Sequence, residues 1–134
     1  MKLSVKGIKA VSASPKTKDY PVFLNDEATK PVRKLHSSLT GYEPTPLVVL
    51  DKLAKELGVK NIYVKDESKR FSMNAFKALG ATYAMARVLC DRLGVSIDEA
   101  DFNYFKSEEV KAKIADLVFV TATDGNHGRA VAWT

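Results

Sequence analysis

The clearest regularity in the chain begins at Leu47 and alternates between helical and strand-like spacing of apolar residues. Leu53, Ala54 and Leu57 recur three and four residues apart, behind Asp51 and ahead of Gly58. That pattern predicts a helix capped by Asp51 and stopped by the glycine. Ile62-Tyr63-Val64 is a short apolar, β-branched run and predicts a strand. A polar loop over residues 66–72 leads into a long helical pattern over residues 74–93, closed by Gly94. Its inner face is predicted to be Phe76, Leu79, Gly80, Tyr83 and Arg87/Val88. Ser96-Ile97-Asp98-Glu99 has the form of a cap and first helical turn, although the aromatic residues at 102–105 fit its continuation poorly. A shorter helix is predicted over residues 108–114. Residues 117–122 form an apolar, β-branched run, the best strand signal in the sequence. It feeds a glycine-containing turn and a helix starting near His127.

Upstream of Leu47 the pattern is weaker. Residues 1–20 show no period, and residues 20–24 are compatible with a short strand. Residues 28–39 read as a short helix, with Thr29 or Asn25 as its cap and Gly41 closing it. Glu43-Pro44-Thr45-Pro46 is held extended by its two prolines. Helices alternating with strands predict an α/β architecture with a mostly parallel sheet. Residues 130–134 form a helix without a stop signal, so we expect the chain to be part of a longer protein.

Charge and composition exclude several classes of function. The net charge of +5 arises wholly in residues 1–34, with eight Lys/Arg against three Asp/Glu; residues 35–134 carry thirteen of each. Spaced lysines without an arginine cluster or interleaved aromatics predict a solvated segment and no nucleic-acid partner. No apolar run is long enough to span a bilayer, and the N-terminus lacks a secretory apolar core, so no membrane association and a cytoplasmic location are expected. Cys90 is the single cysteine, which excludes an internal disulfide, and with two histidines the chain has no metal-ligand spacing.

Two segments carry candidate chemistry. In the first, Lys65-Asp66-Glu67-Ser68 runs through Arg70-Phe71 to Asn74-Ala75-Phe76-Lys77, placing a lysine in the first turn of a helix. The positive end of a helix dipole disfavours an ammonium group and favours the free, nucleophilic amine. Taken alone, the same residues equally describe an ordinary surface lysine. In the second, Thr121-Ala122-Thr123-Asp124-Gly125-Asn126-His127-Gly128-Arg129 is a strand-to-helix turn whose backbone N–H groups could bind a phosphate or carboxylate. Taken alone, it is also an ordinary turn that uses Gly and Asn for their backbone freedom. It is neither a P-loop nor a Gly-x-Gly-x-x-Gly fingerprint.

Together, in this order and spacing, the segments resemble pyridoxal-phosphate (PLP) enzymes of fold type II, the tryptophan synthase β and threonine dehydratase group. Gly41-Tyr42-Glu43-Pro44-Thr45-Pro46-Leu47 and Asn74-Ala75-Phe76-Lys77-Ala78-Leu79-Gly80 extend the resemblance over roughly residues 20–134. Within that group, Thr123-Asp124-Gly125-Asn126 and Asn74-Ala75-Phe76-Lys77 resemble the diaminopropionate ammonia-lyase family. One departure stands out: Ser72-Met73 occupies the place where Gly-Leu is expected.

The resemblance implies a three-layer αβα fold, here truncated. Residues 1–77 would belong largely with the large PLP domain, and residues 78–134 would begin the small α/β domain. It implies PLP as cofactor, a small amino acid as substrate, and a homodimer at full length. Lys77 would be the Schiff-base lysine and would exchange a proton with the substrate Cα. Asn126 would bond the cofactor's ring oxygen, and Phe76 would pack beside it. Thr123, Asp124, Gly125 and His127 would hold the substrate carboxylate, and Asp124 would act as base on the opposite Cα face. The reaction implied is α,β-elimination of 2,3-diaminopropionate to pyruvate and ammonia, with this chain alone inactive. A threonine or serine dehydratase is the competing enzyme reading, and Asp124 argues against it. A non-catalytic fragment that binds a partner through its unfinished sheet is the alternative from another class.

Overall fold

The computed structural model describes residues 21, 23 and 25–134. Helix α1 spans Asp26–Ser38. Asn25 caps it by accepting a hydrogen bond from the Ala28 N–H at 2.8 Å, and Asp26 and Glu27 in the first turn favour the positive end of the dipole. Strand β1 (Leu47–Val49) pairs antiparallel with β2 (Tyr63–Lys65), Val48 opposite Val64. Between them lies α2 (Asp51–Leu57), closed by left-handed Gly58 at φ 66°. A 3₁₀ turn (Arg70–Ser72) precedes α3 (Lys77–Leu93), which ends at left-handed Gly94, φ 69°. Then follow α4 (Phe102–Lys106), α5 (Glu108–Ile114) and α6 (Asn126–Trp133).

The local signals place most helices well, and the differences have physical causes. Asp51 is the first residue of α2 rather than its cap, which falls on Leu50. β1 had no separate signal, because its three residues follow two prolines and merge into the α2 pattern. The turn at residues 97–99 closes through Glu99 N–H to the Ser96 carbonyl (3.1 Å) and goes no further as a helix. The helix begins instead at Phe102, because Asp101 accepts from the Tyr104 N–H at 2.8 Å. The expected strand over residues 20–24 rests on Tyr20, Val22 and Leu24, which lie outside the described residues.

Two expectations about the sheet are corrected. Among the described residues the sheet is two-stranded and antiparallel, not parallel. Residues 117–123 belong to no strand, because no described residue offers them a ladder. The segment keeps a period of two in its exposure: Leu117 and Phe119 are half-buried, while Val118 and Val120 are 82% and 88% exposed.

The inner face of α3 also differs from the expected one. Ala78, Ala81, Thr82, Ala86 and Cys90 are buried, whereas Phe76 and Val88 are more than half exposed and Gly80 is exposed. Both stripes have helical spacing. The small-residue stripe is buried because it lets α6 approach closely, and a core of Met73, Ala78, Ala81 and Ala130 forms there with Phe71 and Val131 against it. Thr82 and Thr134 hydroxyls meet at 3.1 Å, and Ala130 lies in one cluster with Ala78 and Ala81. Ala130 and then Thr134 follow α3 in the order Ala78 and then Thr82, so α3 and α6 run in the same direction. On the other side α1 packs on α3 and α4, burying Leu35 completely. Among the described residues, no helix is long and apolar enough to cross a membrane.

Candidate functional site

Lys77 is the first residue of α3, three residues closer to the helix start than its pattern indicated. Its side chain is exposed, with Nζ 4.3 Å from the centre of the Phe76 ring, itself 54% exposed. The approach to this lysine is strained. Phe71 (φ 47°), Ser72 (φ 56°) and Asn74 (φ 55°) all adopt left-handed backbone, which costs a residue with a Cβ roughly 1–2 kcal/mol. Ser72 stands where a glycine, free of that cost, was expected.

A buried clamp holds this approach in place. Arg70 is only 5% exposed. Its Nε and Nη2 donate to the two carboxylate oxygens of Glu67 at 2.7 and 3.1 Å, and Nη1 donates to the Glu43 carbonyl at 2.7 Å. Nη2 also reaches the Thr45 hydroxyl at 3.3 Å, and that hydroxyl donates to Glu67. The guanidinium lies 5.3 Å from the Tyr42 ring centre and 5.6 Å from that of Phe71. Hydrogen bonds from Arg70 hold the Glu67 carboxyl below its ordinary range against the opposing effect of burial. The other members of the charged motif serve the same loop: Lys65 donates to the Thr45 carbonyl, and Asp66 accepts from the Ser68 N–H at 2.9 Å. Side-chain and backbone bonds from Ser68 lower the Asp66 carboxyl. Glu67 and Arg70 carry no role in the sequence pattern. Their opposite charges three residues apart were the available signal, but the Glu43 and Thr45 contacts, 27 and 25 residues away, had none.

The second segment forms a tight helix entry. Thr123 Oγ1 accepts hydrogen bonds from the Gly125 and Gly128 N–H groups at 3.2 and 2.8 Å, so it caps α6 from two residues before the formal cap position. Gly128 is required here for space: a Cβ would lie 2.0 Å from Thr123 Cγ2. Asp124, Asn126 and His127 are exposed around this entry. α6 packs along α3, with Ala130 in one cluster with Ala78 and Ala81, and Thr134 meeting Thr82 further along. The structure thus brings Lys77, Phe76 and the turn from Thr123 to His127 to one end of two parallel helices.

This arrangement has a definite chemistry. Two helix N-termini present positive dipole ends, which suits an anionic group such as a carboxylate, although Thr123 already takes the Gly125 and Gly128 N–H groups. An amine stands there on Lys77, and Asn126 adds a donor and an acceptor. The residues present therefore fit an aldehyde cofactor held through the Lys77 amine, with an anionic group seated at the turn.

His36 lies far from both candidate segments in the sequence, yet α1 delivers it to α3. Its Nε2–H donates to the Leu79 carbonyl at 2.8 Å, and its ring lies 6.5 Å from Tyr42 and 6.4 Å from Tyr83. Burial, more than the nearby Arg70 charge, lowers its pKa and keeps the ring neutral. Two clefts, of about 370 and 280 Å³, open beside the Arg70 turn along Gly41, Glu43, Lys69 and Phe71. Neither is lined by Lys77 or by residues 123–127. Among the described residues, no group of three or more His, Cys, Asp or Glu is placed to hold a metal ion.

Known proteins share this architecture. Over 113 residues, 84% of the chain, it is 49% identical to diaminopropionate ammonia-lyase of Escherichia coli strain K12. Over 110 residues it is 48% identical to the enzyme of the same name from Salmonella typhimurium. The chain spans only 27% of the length of each of these relatives. The crystal structure of Escherichia coli diaminopropionate ammonia-lyase in apo form superposes with a TM-score of 0.76 at 44% identity, covering 87% of this chain and 31% of that one. The chain is thus homologous to diaminopropionate ammonia-lyase and shares the α/β three-layer fold of fold type II enzymes. Residues 39–134, which hold Lys77 and the turn before α6, match the family described as pyridoxal-phosphate dependent enzyme, and the chain belongs to that family.

Proposed function

We propose that this chain forms the lysine-bearing part of a PLP-dependent ammonia-lyase that converts 2,3-diaminopropionate and water to pyruvate and two molecules of ammonia. The observation that carries this reading is the convergence of Lys77 and the Thr123–His127 turn at the start of two parallel helices, in a chain 49% identical to such lyases. PLP, when bound, supplies the electron sink for the carbanion formed at the substrate Cα. Lys77 Nζ holds the cofactor and, when free, takes the Cα proton on its own face. Asp124 stands on the turn opposite and takes the proton on the other face, which lets one site process both enantiomers. Backbone N–H groups of the turn, with Thr123, Gly125 and His127, hold the substrate carboxylate. Asn126 bonds the cofactor ring oxygen, and the Phe76 ring packs beside Lys77.

The reaction requires protein beyond these residues. This chain covers 27% of its relatives' length, and Val48, Val64, Val118 and Val120 leave apolar surface open. Residues 1–134 by themselves are therefore proposed to be inactive, and the active form to be a homodimer of the length of those relatives. A dehydratase of the same fold is the weaker reading, since Asp124 occupies a position expected there to be small or neutral. Borohydride reduction of the full-length, PLP-loaded protein followed by peptide mapping tests the assignment. Label on Lys77 is the expected result; label on Lys65 or Lys69 instead would overturn it.

A further inference from the structure

We propose that Arg70, held by Glu67, is a positioning residue for Lys77: it fixes the strained turn that sets where the lysine amine stands relative to the start of α6. The proposal rests on the reading of Lys77 as the cofactor lysine.

Three observations carry it. First, the backbone entering α3 is left-handed at Phe71, Ser72 and Asn74, none of them glycine. Such a conformation persists only where surrounding contacts impose it. Second, Arg70 is the polar anchor of this turn, whose Phe71 ring also stacks on Trp133 of α6 at 4.7 Å. Its guanidinium is buried and bonded to Glu67, Thr45 and the Glu43 carbonyl, with Tyr42 and Phe71 rings beside it. These partners anchor the turn to the extended segment Glu43–Thr45, which α1 and β1 flank in the chain. Third, a direct path links Arg70 to the lysine. The Arg70 carbonyl accepts from the Met73 N–H at 2.9 Å, and Met73 packs in the cluster with Ala78, next to Lys77, and with Ala130 of α6. A shift of Arg70 therefore moves Met73, and with it the spacing between Lys77 and the α6 turn.

Neither a lysine nor a neutral side chain replaces this function. Lysine offers a point charge on a flexible stem and lacks the planar fork that grips both Glu67 oxygens. Glu67→Gln keeps the size of the side chain and one acceptor, but breaks the paired, charged grip. It perturbs folding least and is the deciding variant; Arg70→Lys is the second.

The test uses the full-length protein and three readouts. One is the rate at which PLP becomes reducibly attached at Lys77, followed by borohydride trapping and peptide mapping in the cofactor-free protein. The second is the pH midpoint of that attachment. The third is kcat and KM for 2,3-diaminopropionate. A displaced amine at an otherwise intact site is expected to slow attachment and kcat by on the order of tenfold in both variants, with KM changed less than about twofold. The pH midpoint is expected to shift, because the amine changes its place relative to the helix dipoles. A purely structural role predicts lower thermal stability with attachment rate, pH midpoint and kcat of the folded protein unchanged, and that result in Glu67→Gln would overturn the proposal. Label absent from Lys77 in the unsubstituted protein would overturn the Lys77 reading and this proposal with it. Label on Lys77 with unaffected variants would overturn this proposal alone.

Discussion

Replacing Ser72 by glycine is expected to stabilise the protein, an unusual outcome for a serine-to-glycine change. Ser72 sits at φ 56°, flanked by Phe71 at 47° and followed by Asn74 at 55°. In that region the Cβ of an L-residue crowds the following carbonyl, at a cost of roughly 1–2 kcal/mol, and glycine has no Cβ to crowd. Against this gain stands the larger conformational freedom of glycine in the unfolded chain, worth roughly 0.5–1 kcal/mol. The Ser72 side chain is exposed and holds no hydrogen bond among the described residues, so the change removes no contact that offsets the relief. The net expectation is a gain of about 0.5–1 kcal/mol. Urea unfolding measures it as a raised midpoint at unchanged slope, since the surface exposed on unfolding stays the same. Two neighbours sharpen the test. Ser72→Val should lose at least about 1 kcal/mol, because a β-branched side chain tolerates the left-handed region worst. Asn74→Gly should be close to neutral, since asparagine already adopts this region with little penalty. A lowered midpoint for Ser72→Gly, or equal responses at positions 72 and 74, would show that the turn is not strained in the way its backbone angles indicate.

Other expectations follow from the same contacts. Gly128→Ala puts a methyl group against Thr123 Cγ2, 2.0 Å away, and should cost about 1–3 kcal/mol in unfolding experiments. Thr123→Ser in the same chain removes Cγ2 but keeps the capping hydroxyl and should recover part of that loss; strictly additive effects would refute the clash. Asp124→Asn in the full-length protein should depress turnover of the D enantiomer of 2,3-diaminopropionate far more than that of the L enantiomer, and equal losses would refute its role as a face-specific base. His36 has a lowered pKa in the folded state, so the unfolded chain binds the proton first as pH falls. Its contribution to stability is present above about pH 6.5 and is lost progressively below it, as pH falls toward the folded value. His36→Gln, which can still donate to the Leu79 carbonyl, should flatten the stability profile in that window, above the range where Glu67 begins to take up protons. A profile that keeps its slope would place the titrating group elsewhere.

The sequence alone determined what depends on neighbours within about four residues. Gly58 and Gly94 stop α2 and α3 because only glycine enters the left-handed region there without cost, and that is a property of single residues. Asn25 is one of two legible caps of α1, and the pattern of residues 108–114 predicts the helix that the structure contains. The placement of Lys77 at a helix start was also local information, as was the glycine-bearing turn before α6. Tertiary structure decided everything that needed a partner. Two stripes on α3 have the same period, and the one of Ala78, Ala81, Thr82 and Ala86 is buried because small side chains admit α6, which no periodicity reveals. β1 became a strand only because β2 lies beside it, whereas the stronger run at residues 117–122 finds no ladder among the described residues. Gly128 looked like a residue chosen for backbone freedom, and its neighbour Thr123 makes it a residue chosen for lack of a side chain. Arg70 reads in the sequence as one more charge in a polar loop. Its burial against Glu67, Thr45 and the Glu43 carbonyl exists only once the chain between residues 43 and 70 has folded back on itself, because hydrogen bonds and burial are properties of positions in space and not of order along the chain.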